Sequence, residues 1–383
     1  MLKRRTLIWG LGLVVLLAAA GGGWVLSLPA VAVLSDPPAI AMSEREAMLA
    51  ALRPPKRQRP VVAVIGINDA TETTDYLMPY GILKRADVAE VLAVATEPGP
   101  VKLYPALAVE PDATAAEFDA HHPQGADYVI VPAMSRDDHP EALRWIREQA
   151  AKGATVIGVC AGAKVVGEAG LLDGRQATTH WFYLDELRDD NPTAVYVADR
   201  RIVVDRGVAT TTGISASMPL SLTLIEAIAG RTRAESVAAD LGLPEWDARH
   251  DSAAFRFTRP FALTAIGNSL AFWNRETLGL AIAPGIDEVS LALVADAWSR
   301  TYRSRAVTLT DGPGAVETRS GLRIVPDQAG VAWPAERRVP GFADRRPAQA
   351  LDDTLAGIAG RYGSRTADFV AMQLEYPRRN AAH

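Results

Sequence analysis

A single cysteine, Cys160, occurs in 383 residues, and glycines flank it in Gly158-Val159-Cys160-Ala161-Gly162. The apolar run 155–159 predicts a short buried parallel strand, and the small residues of 161–169 predict a helix, so the thiol falls on the turn between them. That is the layout of a nucleophile elbow, in which a sharp turn holds the reacting side chain at the strand's carboxyl end. A helix amino-terminus beneath the sulfur would favour thiolate, and the backbone N–H groups of Ala161 and Gly162 would face a developing oxyanion. His180 closes a predicted strand at 176–180 and offers an imidazole to the thiol. A buried cysteine that merely packs is the alternative; the two glycines and the later histidine favour a functional thiol.

Other chemistries are poorly supplied. One cysteine excludes an intrachain disulfide and any cysteine-based zinc site. The six histidines show no metal-ligand spacing, and His121 and His122 read as a solvated pair. No metal and no cofactor is expected. A net charge of -5 argues against nucleic acid as a partner. With 49% hydrophobic residues the chain is long enough for two cores.

The elements that must position Cys160 follow from the order of the chain. Lys3, Arg4 and Arg5 precede 23 uncharged residues, 6–28, about 35 Å as a helix. This predicts a retained single-pass membrane helix, with the amino-terminus cytoplasmic and the body extracytoplasmic, that is periplasmic. A signal peptide cleaved near Ala30-Val31-Ala32 is the rival. Residues 1–33 thus form an anchor, 34–59 a short helix and a Pro/basic linker, 60–245 a first α/β domain, and 246–383 a second. In the first domain strands alternate with helices, which predicts a mostly parallel sheet with its ligand site beyond the strand carboxyl ends. An antiparallel pair is expected at 194–198 and 201–204, turning at Asp199-Arg200.

GVCAGA, the following AGLLDGRQATTHW and the closing TTTGISAS together resemble the ThiJ/PfpI family, and most closely its GlxA-like branch. The resemblance covers about residues 60–242. It implies a flavodoxin-like fold related to class I glutamine amidotransferases, with Cys160 as nucleophile and His180 as the histidine near it. It also implies a third member, an acid four residues before a proline, which here is Asp75. A protonated carboxyl beside a thiolate would favour the charged sulfur. Two departures stand out. Pro132-Ala133-Met134 replaces the family's Pro-Gly-Gly facing the elbow, which narrows the pocket where an oxyanion would sit. Pro219 stands where an acidic residue often lies.

The second domain lacks a helix-turn-helix pattern, so an AraC-type DNA-binding domain is not expected. It reads instead as a truncated repeat of the first. VKLYPALAVEPD, ending at Asp112, matches VETRSGLRIVPD, ending at Asp327, an offset of 215. EAIAGR at 226–231 matches AGIAGR at 356–361, an offset of 130. The segment lost between the matches is the one that would carry a thiol, and Ser290 stands at the Asp75 position. Such a copy is non-catalytic and is expected to pack on the first as an intramolecular pseudo-dimer. The expected function is a membrane-anchored, cysteine-dependent hydrolase or hydratase for a small electrophile such as an isonitrile, a reactive carbonyl or an amide. The alternative is a non-enzymatic ligand or redox sensor using the same pocket.

Overall fold

The computed structural model describes residues 19–30 and 36–377. The first half is built on a seven-stranded sheet whose strand order is Ile202–Asp205, Val208–Thr211, Thr155–Gly158, Tyr128–Val131, Val61–Gly66, Glu90–Ala95, Ala113–Thr114. All neighbours pair in parallel except the first two. The three central strands are buried along their whole length, as β-branched runs covered by helices on both faces should be. This is the α/β, flavodoxin-like architecture.

The antiparallel pair differs from the expected one. Val195–Tyr196 pairs in parallel with Gln176–Ala177 in a separate two-stranded ribbon, and the hairpin joins Ile202–Asp205 to Val208–Thr211. Its turn residues Arg206 and Gly207 have φ of 48° and 79°, and two positive φ values in a two-residue turn match the twist of the flanking strands.

One apolar core runs through both halves. Residues of helix Thr73–Ala86 and helix Ser217–Ala229 pack in the same cluster as those of helix Glu288–Ser299 and helix Pro347–Tyr362. The second half carries a three-stranded parallel sheet ordered Glu276–Ala281, Ser304–Thr310, Gln328–Ala329. These strands begin 215, 214 and 215 residues after Val61–Gly66, Glu90–Ala95 and Ala113–Thr114, and helix Glu288–Ser299 begins 215 after helix Thr73–Ala86. Local bonds recur at the same spacing: Asp112 accepts the Ala93 N–H at 2.8 Å, and Asp327 accepts the Thr308 N–H at 2.8 Å.

The contacts between the halves are reciprocal. Arg300 bonds Glu72 at 2.7 Å and Arg85 bonds Asp287 at 2.8 Å, each residue of one pair lying 215 from its counterpart in the other. Strand Arg323–Ile324 pairs antiparallel with Ala108–Glu110, setting Ile324 opposite Val109, again 215 apart. Self-complementary contact of this kind is what a two-fold axis produces. The later match is out of step with the sequence reading. Gly230 (φ 85°) and Gly363 (φ 89°) each end one helix and begin the next, a spacing of 133. The second-half helix runs three residues further, so Gly360 of AGIAGR lies inside it.

The membrane expectations fail. Among the described residues no helix is long and apolar enough to cross a membrane. Most of the predicted span, residues 6–18, lies outside the described residues. The described helical part is residues 19–27. Its end is tied to the body instead: Arg259 donates to the carbonyl oxygens of Leu26 and Pro29, and Trp24 packs on Phe257 with ring centroids 5.6 Å apart. The transmembrane helix, the membrane partner and the single-pass periplasmic placement are therefore not supported.

Candidate active site

The turn after strand Thr155–Gly158 puts Cys160 at φ 57°, the left-handed region that side chains other than Gly, Asn and Asp rarely enter. The strain therefore sits on the cysteine itself. Gly162 is required by space: a Cβ there would lie 2.0 Å from the Val131 carbonyl oxygen. The turn is held by hydrogen bonds from the Cys160 N–H to the Thr211 hydroxyl (3.1 Å) and from the Thr179 hydroxyl to the Cys160 carbonyl (3.0 Å).

Cys160 is 3% exposed. Burial pushes its thiol well above the ordinary range, and the nearby carboxyl groups of Asp75, Glu72 and Glu375 push the same way, against an Ala161 N–H that bonds the sulfur. The helix amino-terminus was expected to favour thiolate. Here desolvation and carboxylates outweigh it, because a short helix offers little dipole and a buried anion is costly.

Asp75 is fully buried near the thiol. Its Oδ2 accepts the Ala133 N–H at 3.2 Å, while Oδ1 has no hydrogen-bond partner. Burial, then the neighbouring Glu72, raises its pKa well above the usual carboxylate range, which favours its protonated form. The Ala133 N–H is committed to Asp75 and so is not free for a substrate, and Met134 lines the cavity beside it. The Glu72 N–H bonds the Ala133 carbonyl at 2.8 Å, which pins that segment to the helix of Asp75.

His180 is placed in the same cavity, with both ring nitrogens occupied. Nδ1 accepts the Phe182 N–H at 3.1 Å. The proton therefore lies on Nε2, which donates to the Gln373 carbonyl at 2.9 Å. Burial lowers its pKa, so the ring is neutral and turned toward the second half of the chain.

Several residues of the site carry no local signature. Glu72 caps the Asp75 helix, its Oε2 accepting the Asp75 N–H at 2.6 Å, while its Oε1 meets Arg300. Arg300, from the second half, also bonds Asp296 at 2.7 Å. Burial opposes its charge, but Asp296 and Glu72 hold it firmly protonated; burial in turn lifts Asp296 to about 7. Glu375, at φ 48°, accepts the N–H groups of Trp181 and Gly213 at 2.6 and 2.8 Å. The 215-residue register, which maps Arg85 onto Arg300 and Glu72 onto Asp287, is the one signal that points to Glu72 and Arg300; nothing in the sequence points to Asp296 or Glu375.

Together these groups enclose a cavity of about 550 Å³. Cys160, Ala161, Ala133, Met134, His180 and Glu72 line it from the first half, and Phe257, Phe261, Arg300, Tyr302, Phe369 and Gln373 from the second. Among the described residues no cluster of His, Cys, Asp and Glu could hold a metal ion. The arrangement offers a thiol, a protonated carboxyl beside it and a walled space above.

The DJ-1/PfpI family profile matches residues 61–227. The chain is 34% identical over 175 residues to the isonitrile hydratase of Pseudomonas putida, covering 44% of this chain and 72% of that one. It is 34% identical over 112 residues to the HTH-type transcriptional regulator CdhR of Pseudomonas aeruginosa, 29% of this chain and 33% of the regulator. It is 23% identical over 188 residues to the Parkinson disease protein 7 homolog of Danio rerio, 48% and 97% of the two chains. Among solved structures, a ThiJ/PfpI family protein from Pseudomonas syringae aligns with TM-score 0.47 and 22% identity over 56% of this chain and 86% of that one. The chain belongs to the DJ-1/PfpI family.

Proposed function

We propose that this DJ-1/PfpI-family chain is a cysteine-dependent hydratase or hydrolase for a small electrophile, an isonitrile, a reactive carbonyl or an amide. The observation that carries the reading is the left-handed Cys160 on the floor of a cavity, beside a buried carboxyl with one oxygen unpartnered. Strain of this kind, on a residue that needs an unusual backbone to face a cavity, is typical of reacting groups. The relation to an isonitrile hydratase over 72% of that enzyme's length favours the hydration chemistry. Within the family, the AGLLDGRQATTHW wording supports a reading nearest the GlxA-like branch.

For an isonitrile the step balances without an external reagent. The protonated Asp75 gives its proton to the terminal carbon as the sulfur bonds that carbon, and the thiol proton passes to the Asp75 carboxylate; the product is a thioimidate. Water then adds to the same carbon, the C–S bond breaks, and the sulfur regains a proton as a formamide leaves. A neutral thiol with a raised pKa fits this order, since the proton and the sulfur reach one carbon together. Ala161 would face the developing charge, and His180 would orient the wall of the site through its bond to Gln373. The purified chain should turn over at least one of an isonitrile, methylglyoxal and a simple amide, with Cys160→Ser slower by a factor of about 10³ or more. Equal rates for the two proteins would end this reading.

A second reading has its own support: a ligand or redox sensor using the same pocket. The thiol is buried and hard to ionise, and the imidazole makes no bond to it. Turnover of none of the three substrates, together with ligand binding that survives Cys160→Ser, would select the sensor.

We also infer that the second half is a truncated, non-catalytic copy that serves as an internal partner to the first. The reciprocal Arg300–Glu72 and Arg85–Asp287 pairs and the Val109–Ile324 edge support it. A chain ending at residue 245 should expose the Glu72–Arg85 face and self-associate or aggregate; a stable monomer would refute the inference.

A further inference from the structure

The cavity at Cys160 is larger and more aromatic than the smallest electrophiles require. About 550 Å³ lies within the range, roughly 300–1,000 Å³, that encloses a drug-sized molecule. Its wall runs ring to ring across the two halves: Trp181 meets Phe261 edge-on at 5.4 Å, Phe261 meets Phe369 at 4.7 Å, and Phe369 meets Tyr302 at 5.0 Å. The inner rings of Phe261 and Phe369 are buried and join the halves. The rim rings are not: Tyr104 is 58% exposed, Phe182 52% and Tyr302 41%. Packing of one half on the other does not call for rings left open to water, and an apolar face left open is surface that a ligand covers at a gain.

Tyr302 supplies an independent observation. Its φ is 60°, and the residue 215 positions earlier, Asp87, has φ 49°. Aspartate tolerates this conformation; for a bulky side chain it is a costly outlier. The second half thus keeps an expensive tyrosine where the first half has an inexpensive aspartate, and the tyrosine lines the cavity of Cys160. Charge narrows the ligand further. The cation and carboxylate that line the cavity, Arg300 and Glu72, bond each other at 2.7 Å, so they are satisfied without a charged ligand.

We propose that the site takes an uncharged molecule with an aromatic body, gripped by Tyr104, Phe182 and Tyr302 at the rim, and that the second half sets this specificity. The inference rests on Cys160 as the reacting group only for the orientation of the ligand's electrophilic carbon. Its test uses the full chain carrying Cys160→Ala and calorimetric binding of phenyl isonitrile, cyclohexyl isonitrile of similar size without a π-face, and 4-isocyanobenzoate. Benzaldehyde against cyclohexanecarbaldehyde repeats the comparison with a carbonyl tip. In at least one of the two series, phenyl should bind several-fold tighter than cyclohexyl, and 4-isocyanobenzoate should bind weakest of the isonitriles. Tyr302→Ala and Phe182→Ala should each weaken the aryl ligand by roughly twofold to tenfold, as the loss of one ring contact does. Cyclohexyl compounds equal to phenyl in both series, or rim variants without effect, would overturn the proposal. Aryl binding without turnover by the unsubstituted chain would remove the nucleophile reading and leave this one. Turnover of methyl isonitrile with the same kcat/KM as phenyl isonitrile, and no aryl preference in binding, would do the reverse.

Discussion

Helix Thr73–Ala86 and helix Glu288–Ser299 lie 215 residues apart, pack on each other and begin alike, yet only one faces a thiol. Each is capped by the side chain of an acid, Glu72 or Asp287. Each cap bonds the other helix's arginine. The difference lies three residues on: Asp75 in one, Ser290 in the other, both fully or almost fully buried and each with an unpartnered oxygen. A buried carboxyl is kept only where something gains from it, because an unpaired acid in a core is costly. Where the elbow is present the acid is retained; where it is absent, the smaller hydroxyl suffices. The shared frame is structural, and the chemistry sits in a few side chains added to it.

The largest effect should come from breaking the reciprocal pairs. Arg300→Met leaves Glu72 and Asp296 without their cation in a buried setting, a loss of about 3–5 kcal/mol. Arg85→Met leaves Asp287 only the longer contact with Arg319 at 3.6 Å and the buried Glu288 without a cation, and should cost a similar or somewhat smaller amount in denaturant melts. The two must part in thiol titration. Arg300 interacts with the Cys160 charge, so its loss should move the midpoint of pH-dependent alkylation upward, and Arg300→Lys should restore it. Arg85→Met should leave the midpoint in place. Equal shifts would mean that both arginines act through general loosening.

Ser290→Asp tests whether an acid is tolerated without the elbow. The buried Ser290 hydroxyl has no hydrogen-bond partner, and the acids Asp287, Glu288 and Asp296 lie on the same helix or its cap. Destabilisation of about 3 kcal/mol is expected at pH 7, diminishing in acid as the new carboxyl protonates. Asp75→Asn tests the other side of the pair. The folded state holds the Asp75 proton to higher pH than the unfolded chain does. Its contribution is therefore full below the ordinary carboxylate range and is lost as pH rises through the raised native value. The asparagine variant should melt a few degrees higher than the unsubstituted chain at pH 8, with little difference at pH 4, while catalysis falls. A variant that melts lower at pH 8 would show the ionised carboxylate to be stabilising.

Much of this frame was legible before the fold was known, and the reasons differ by residue. Cys160 announced itself through its glycines, because a close backbone approach leaves a compositional trace. Asp75 came from family wording alone, since nothing local separates it from an ordinary helix-start acid. The 215-residue register was readable because strands and turns repeat in order. Glu375 was not legible, and Arg300 only through the register that maps Arg85 onto it: four residues after Asp296 it reads as an exposed helical pair, and only the packing of the halves buries it. The sequence pattern pairs His180 with the thiol, whereas its Nε2 bond goes to Gln373, 193 residues away. The hydropathy of residues 6–28 describes composition alone and does not tell that Trp24 meets Phe257 and that the Leu26 carbonyl accepts from Arg259.

The smallest expected effect discriminates most sharply between packing and function. Tyr302 and Asp87 occupy corresponding left-handed positions, so Tyr302→Asn replaces the costly side chain with one that the conformation favours. Relief of backbone strain is worth about 1 kcal/mol, and loss of the ring contact with Phe369 costs about 0.5–1.5 kcal/mol. The two nearly cancel, so the melting midpoint should stay within about 3 °C of the unsubstituted chain. Affinity for an aryl ligand should nonetheless fall severalfold. If stability falls as it would for a core aromatic, by about 3 kcal/mol, the ring serves the joint between the halves. If stability is unchanged and aryl binding drops, the strain at residue 302 is kept for the ligand, and the two helices differ in purpose at their ends as they do at Asp75 and Ser290.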